Sequence, residues 1–173
     1  MYRSNITALV CVLLVAFAAQ NLWAQEAMSM AEKNKMAAKR IPTEIINQGK
    51  LELIPEVFSE KGVNHTPPPG IAATGHAAAT ELFTMLRTAF PDINITVDHA
   101  IAEGEYVVQH VTVTGTHKGL FMGNAATNKE AKWSEMHLLR FDGGKVVEHW
   151  GVVDMLGMMM QLGLMPPEPM TKK

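Results

Sequence analysis

The apolar residues of this chain change their spacing once, near residue 91, and that change limits the fold more than any motif does. Before it, in HAAATELFTMLRTAF (76–90), Ala79, Leu82, Phe83, Leu86 and Phe90 share one face of a 3.6-residue period, and Pro91-Asp92 ends the helix. After it the period is two. INITVDHAIAE (93–103) and YVVQHVTVTGTHKG (106–119) are β-branched runs joined at Gly104-Glu105. KWSEMHLLRF (132–141) and KVVEHWGVVDM (145–155) flank the turn DGG, so each pair reads as an antiparallel hairpin. Upstream, helices are expected at about 43–48, stopped by Gly49, and across KLELIPEVFSE, where Leu51, Ile54, Val57 and Phe58 have helical spacing. NHTPPPGIAATG (64–75) and LFMGNAATNKEA read as loops, and LGMMMQLGLM (156–165) as a short last helix. Helices followed by hairpins predict the α+β class, with helices on one face of a curved antiparallel sheet.

The first 24 residues follow another pattern. Arg3, the apolar run ITALVCVLLVAFAA and the small residue ending NLWA have the layout of a secretory signal peptide, and the run is short for a bilayer span. The expected organisation is a signal peptide at 1–24, a flexible or helical lead-in at 25–42, one domain at 43–165 and a tail at 166–173. An exported protein, periplasmic or secreted, follows from it, with no membrane contact after cleavage. Cleavage after Ala24 would leave 149 residues and remove Cys11, the only cysteine. The mature chain would then have no disulfide, no thiolate nucleophile and no cysteine metal ligand. Only Arg3 is lost among the charged residues, which takes the formal net charge from -2 to -3. No basic patch interleaved with aromatics is present, which argues against nucleic acid as a partner.

Alternation sorts the strand residues into faces. Trp133, Glu135, His137, Leu139 and Phe141 lie together; so do Val147, His149, Gly151 and Val153, opposite Glu148, Trp150, Val152 and Asp154. Large aromatics mixed with titratable groups on one strand face suit the lining of a polar pocket. The competing interpretation, a solvated outer face, is the commoner fate of a single strand Glu or His. No GxSxG, HExxH, Walker or Rossmann pattern occurs. The seven histidines are not spaced as metal ligands, and the methionines at 155, 158, 159, 160 and 165 fit adaptable core filler better than a soft copper site. Neither metal nor cofactor is expected. Any catalysis therefore falls to carboxylate and imidazole, with Asp154 or Glu135 as acid/base and a neutral histidine to hold or relay the proton.

Three stretches, INQGKLELIPEVFSEKGVNHTPPPG, LRTAFPDINITVDHAIAEGEYVVQHVTVTGTHKGLFMG and FDGGKVVEHWGVVDMLGMMMQLG, in this order, resemble the SnoaL-like polyketide cyclases, or ester cyclases, of the NTF2-like superfamily. The resemblance runs from about 44 to 163. It implies a cone-shaped α+β barrel, a bent antiparallel sheet wrapped around the N-terminal helices and enclosing one pocket. It also implies ring closure of a polyketide ester by intramolecular aldol condensation, without cofactor or metal. By the resemblance, Asp154 is the acid/base, with His149 and His117 assisting and His65 and Trp150 near the substrate; Trp133, Glu135 and His137 join the expected substrate contacts from the strand face, although His137 stands where relatives often have an acidic or apolar residue. Since Asp154 and His149 fall on opposite faces, their cooperation would require a β-bulge, placed at Gly151. Relatives pair through the convex outer face of the sheet, so a homodimer is expected, with Glu148 at the rim or interface. Two functions fit: a pocket enzyme acting on an uncharged or carbonyl-containing small molecule by cyclisation, isomerisation or hydrolysis, and a non-catalytic NTF2-like binding module. A metal-binding protein is a third and weaker possibility.

Overall fold

The computed structural model describes residues 30–165; the expected signal peptide and the 166–173 tail lie outside the described residues. Within the lead-in, residues 30–40 form helix α1, and Ala38 on it is fully buried. Pro42 does not stop this helix. The chain passes into a wider π-helical turn over Ile41–Ile46, where the Asn47 N–H reaches back to the Pro42 carbonyl. Gly49 ends it with φ +73°, and a Cβ there would meet the Arg87 guanidinium, which donates to the Ile46 and Asn47 carbonyls.

Helical spacing holds only as far as Val57. A 3₁₀ turn (Leu51–Leu53) leads into α2 (Ile54–Val57), and Phe58–Asn64 is then a strand, β1, where the sequence pattern suggested continued helix. The sequence FSEKGVN hides this strand because it lacks alternation. It is an edge strand, and exposed Glu60 and Lys61 blunt its free side against further pairing. The helix α3 (Gly75–Ala89) and the strands β2 (Asn94–Glu103), β3 (Tyr106–Thr116), β4 (Glu130–Asp142) and β5 (Lys145–Val153) match the expected elements to within a few residues, as does α4 (Met155–Leu162).

The sheet order is β1-β5-β4-β3-β2, bent and unclosed, with β1 and β2 at the edges. Pairing is antiparallel except between β1 and β5, which run parallel, so the expected all-antiparallel sheet is corrected at that edge. One bulge interrupts the β4–β5 ladder between Arg140 and Phe141, where Val147 is skipped. The ladder is unbroken through His137↔Gly151, so the bulge expected at Gly151 is absent. The concave face carries Val107, Val111, Val113, Trp133, Leu139, Phe141 and Val146, packed against Ile45, Ile54, Val57, Phe83 and Phe90 from the helices and the segment after α3. Each such side chain contributes roughly 1.5–3 kcal/mol by leaving water.

The edge strand β2 is tied down by a side chain acting as backbone. Asn47 Oδ1 accepts from the Ile95 N–H at 2.8 Å, and Asn47 Nδ2 donates to the Ile95 carbonyl at 2.9 Å. Asn47→Ala leaves both Ile95 groups unpaired at a part-buried position. The expected loss is about 1–2 kcal/mol of unfolding free energy by chemical denaturation, with an unchanged far-UV spectrum.

Candidate active site

The bent sheet and the helices leave a cavity of about 230 Å³ between them. Its floor is apolar, from Leu82, Phe83, Leu86, Val111, Val113 and Leu139, and one side is closed by the loop after β1, through Asn64, Thr66, Pro68 and Ile71–Ala73. That loop folds back on β1 because the Asn64 N–H donates to the Ala73 carbonyl at 2.7 Å and Val63 bridges Thr74.

On β4, alternation turns Trp133, Glu135 and His137 inward; on β5 it turns His149 and Gly151 inward. These side chains form one hydrogen-bonded line along the cavity wall. Trp133 Nε1–H donates to Glu135 Oε1 at 2.6 Å. Glu135 Oε2 lies 2.9 Å from His137 Nε2, His137 Nδ1 lies 3.0 Å from His149 Nε2, and His149 Nδ1 lies 2.9 Å from Asn64 Oδ1. The two imidazoles approach because Gly151, paired with His137, has no side chain. A Cβ at 151 would sit 3.2 Å from both His137 Nδ1 and His149 Cε1.

The donors and acceptors of this line can be counted. Asn64 Oδ1 accepts the Thr66 N–H at 3.0 Å, so the atom facing His149 is an acceptor and His149 Nδ1 carries a proton. Burial, then the fields of His137 and His65, push the His149 imidazole down to about 3. It is therefore neutral at physiological pH, and its Nε2 is a bare lone pair. His137 Nδ1 must then donate to it. A glutamate and two neutral imidazoles hold two protons between them, but the three bonds from Glu135 to Asn64 need three. A third proton between His137 Nε2 and Glu135 Oε2 would complete the line. Both oxygens of Glu135 keep lone pairs after these contacts, and its side chain is 16% exposed, against the cavity.

Of the residues singled out from sequence, Trp133, Glu135, His137 and His149 meet at this wall. The others do not. Asp154 is exposed and lies past the end of β5, where its side chain accepts from the Gly157 N–H at 2.9 Å and caps α4. Gly157 is required for that cap, since a Cβ there would strike the Asp154 carboxylate. The cooperation of Asp154 with His149 expected from sequence is thus replaced by a helix cap. Asp154→Ala should cost about 1 kcal/mol of stability in a denaturant titration and leave activity at the cavity unchanged. His117 is wholly buried beside Phe90 and Phe121, outside the cavity lining; its Nδ1 lies against the Thr127 N–H and hydroxyl, and it anchors the loop before β4. His65 and Trp150 stack on each other at 4.4 Å on the outer side, not in the cavity. Glu148 is outside as well, in a two-bond pair with Arg140 that holds its carboxyl below the usual range.

Two residues the motifs did not single out belong to the site. Asn64 and Gln109 both line the cavity, Asn64 at the end of β1 and Gln109 facing His137 across β3 and β4. Gln109 could have been found by the alternation that placed Val107, Val111 and Val113 inward; Asn64 could not, because β1 has no such pattern.

Other chemistry-bearing groups are less well placed. Ser134, His110 and Asp98 follow the order of a hydrolytic triad on the outer face, with His110 Nε2 2.8 Å from Ser134 Oγ. Asp98, however, is 3.7 Å from His110, accepts instead from Thr112, and none of the three lines the cavity. Among the described residues, no group of three or more His, Cys, Asp or Glu is arranged to hold a metal ion. Met158 is buried in the core, and Met155 and Met158 line the cavity.

Comparison with known proteins bears on the fold and family. The family model of the SnoaL-like polyketide cyclases matches residues 36–162. AclR of Streptomyces galilaeus, a candidate hydroxylase, is 31% identical with a TM-score of 0.69, over 81% of this chain and 87% of its own. A candidate polyketide cyclase of Acidithiobacillus ferrooxidans is 28% identical with a TM-score of 0.67, over 76% and 95%. IdmH of Streptomyces antibioticus, also a candidate polyketide cyclase, is 27% identical with a TM-score of 0.65, over 75% and 98%. No curated protein matches the chain. The domain has the NTF2-like fold, and the chain belongs to the SnoaL-like polyketide cyclase family.

Proposed function

We propose that this protein is a pocket enzyme that abstracts a proton beside a carbonyl of an apolar small molecule, as aldol-type cyclisation or isomerisation requires. The observation that carries this is the hydrogen-bonded Glu135–His137–His149 line, set in the wall of an apolar cavity. Glu135 is the base. Its free lone pair takes the α-proton, and the imidazolium of His137 remains to balance the enolate that forms. His149, held neutral, fixes the His137 ring, and Trp133 fixes the carboxylate. The apolar floor suits a largely uncharged substrate. Two polyketide cyclase candidates among the similar structures support a poly-carbonyl compound as its class.

Deuterium exchange at carbon tests this without the natural substrate. Benzoylacetone and related β-dicarbonyls are incubated with the protein in D₂O, and α-deuteration is followed by mass spectrometry. Accelerated exchange that Glu135→Gln abolishes supports the proposal. No acceleration, together with a ligand that co-purifies unaltered, would favour a non-catalytic binding module.

The protein is further proposed to work as an exported homodimer. Ile101, Met136 and Val152 on the outer sheet face are 70%, 50% and 74% exposed, and Met136 and Val152 are cross-strand partners, a patch that a second copy would cover. Val152→Glu should yield a monomer in sedimentation; an unchanged species would refute pairing by this face. N-terminal sequencing of secreted material tests cleavage of the leader carrying ITALVCVLLVAFAA.

A further inference from the structure

Gln109 is the least accounted-for side chain of the cavity. It sits on β3 in a row otherwise made of Val107, Val111 and Val113, and it is 2% exposed, yet its Nε2 has no hydrogen-bond partner among the described residues. Buried carboxamides in folded proteins are nearly always paired, because the group gives up its water on folding. Gln109 lines the cavity and lies directly opposite His137 in the β3–β4 ladder, with Gly151 next in the same row across β5. Directly opposed residues of antiparallel strands hold their side chains about 5 Å apart. The space over Gly151 itself is taken by the His137 and His149 rings.

We propose that Gln109 is the ligand's hydrogen-bond donor: its Nε2–H takes the carbonyl oxygen of the bound molecule, which becomes the enolate oxygen when Glu135 removes the α-proton. This rests on the function proposed above and adds to it a recognition rule. The ligand must carry a carbonyl oxygen two bonds from the carbon acid that meets Glu135, as a β-dicarbonyl does, since Glu135 and Gln109 are diagonal neighbours across β4 and β3. The carbonyl bond order falls as the α C–H breaks, the C–H electron pair becomes the enolate, the proton goes to Glu135, and the charge gathers on the oxygen that the Gln109 amide holds. A donor fixed by a strand needs no reorganisation as that charge develops.

The test separates recognition from catalysis by using two probes of similar size, benzoylacetone and butylbenzene, which lacks both oxygens. Their affinities are measured by calorimetry for the wild type, Gln109→Leu and Glu135→Gln. Gln109→Leu removes an unpaired buried amide while keeping its volume, so its thermal midpoint should equal or exceed that of the wild type. Wild type should prefer the diketone, and Gln109→Leu should lose that preference by about tenfold, with butylbenzene unaffected or tighter. Glu135→Gln should stop exchange yet retain the preference. If exchange survives in Glu135→Gln while Gln109→Leu still erases the preference, the assignment of the base fails and that of Gln109 stands. A diketone preference that is absent in wild type, or intact in Gln109→Leu, overturns the proposal for Gln109. A fall in the thermal midpoint of Gln109→Leu would mark a structural role instead and overturn it equally.

Discussion

His137→Gln lowers carbon-acid exchange by about 10²–10⁴-fold and leaves the domain folded. The effect is large because glutamine can bond to Glu135 and His149 but cannot carry the third proton. In the proposed reaction Glu135 takes a proton from carbon beside a protonated His137, whose ring lies 2.9 Å from it. With glutamine, the enolate would form in an apolar cavity with nothing to balance it, and a lone charge in such surroundings is strongly disfavoured. The cost to stability is small, since the His137 side chain is 23% exposed and its neighbours keep hydrogen-bond partners. Exchange rates and denaturation midpoints measured on the same preparations check both halves. An exchange rate within twofold of wild type would remove His137 from the chemistry.

The second large effect is on stability against pH. In the unfolded chain His149 takes up a proton near its ordinary value of 6.5; in the folded protein it does so only near about 3. Between those values the unfolded state binds more protons, so lowering the pH favours unfolding. The stability that His149 contributes is complete above about 6.5 and is lost as pH falls toward about 3, at most on the order of 5 kcal/mol over the window. Unfolding free energies from denaturant titrations at successive pH values should fall across this range. His149→Asn, whose amide still donates toward Asn64, should be less stable at neutral pH and show a much flatter dependence. Equal slopes for variant and wild type would mean that the ring titrates normally in the folded state. The depressed carboxyls of Asp92, bonded to Thr116, and Glu148, paired with Arg140, add a further loss at the acidic end, as those groups protonate.

Much of the fold was legible because its signals are local. The switch from a helical to a two-residue period located α3 and four strands, and alternation along β4 placed Trp133, Glu135 and His137 on one side; along β5 it set His149 opposite Asp154 without showing which of the two faces joins them. The edge strand β1 was not legible. Its residues are polar, its register slips between Phe58 and Val63, and its partner β5 lies some eighty residues away in the chain, so no local pattern marks it. The same gap hid Asn64, and with it the reason His149 is protonated on Nδ1.

Asp154 shows the limit most clearly. In EHWGVVD it continues the two-residue period of β5, and by that period it shares a face with Glu148 and Trp150. The strand stops at Val153, and one residue later the carboxylate is turned to cap a helix whose third residue is a glycine. Sequence alone determined which side chains share a face where no bulge intervenes, as along β4; on β5 the bulge at Val147 puts Val146, not Val147, on the cavity side. Tertiary structure alone decided which face encloses the cavity, where β5 ends, and which donors meet which acceptors. Those depend on the parallel edge strand and the loop folded over it, and contacts between segments so distant in the chain leave no period to read.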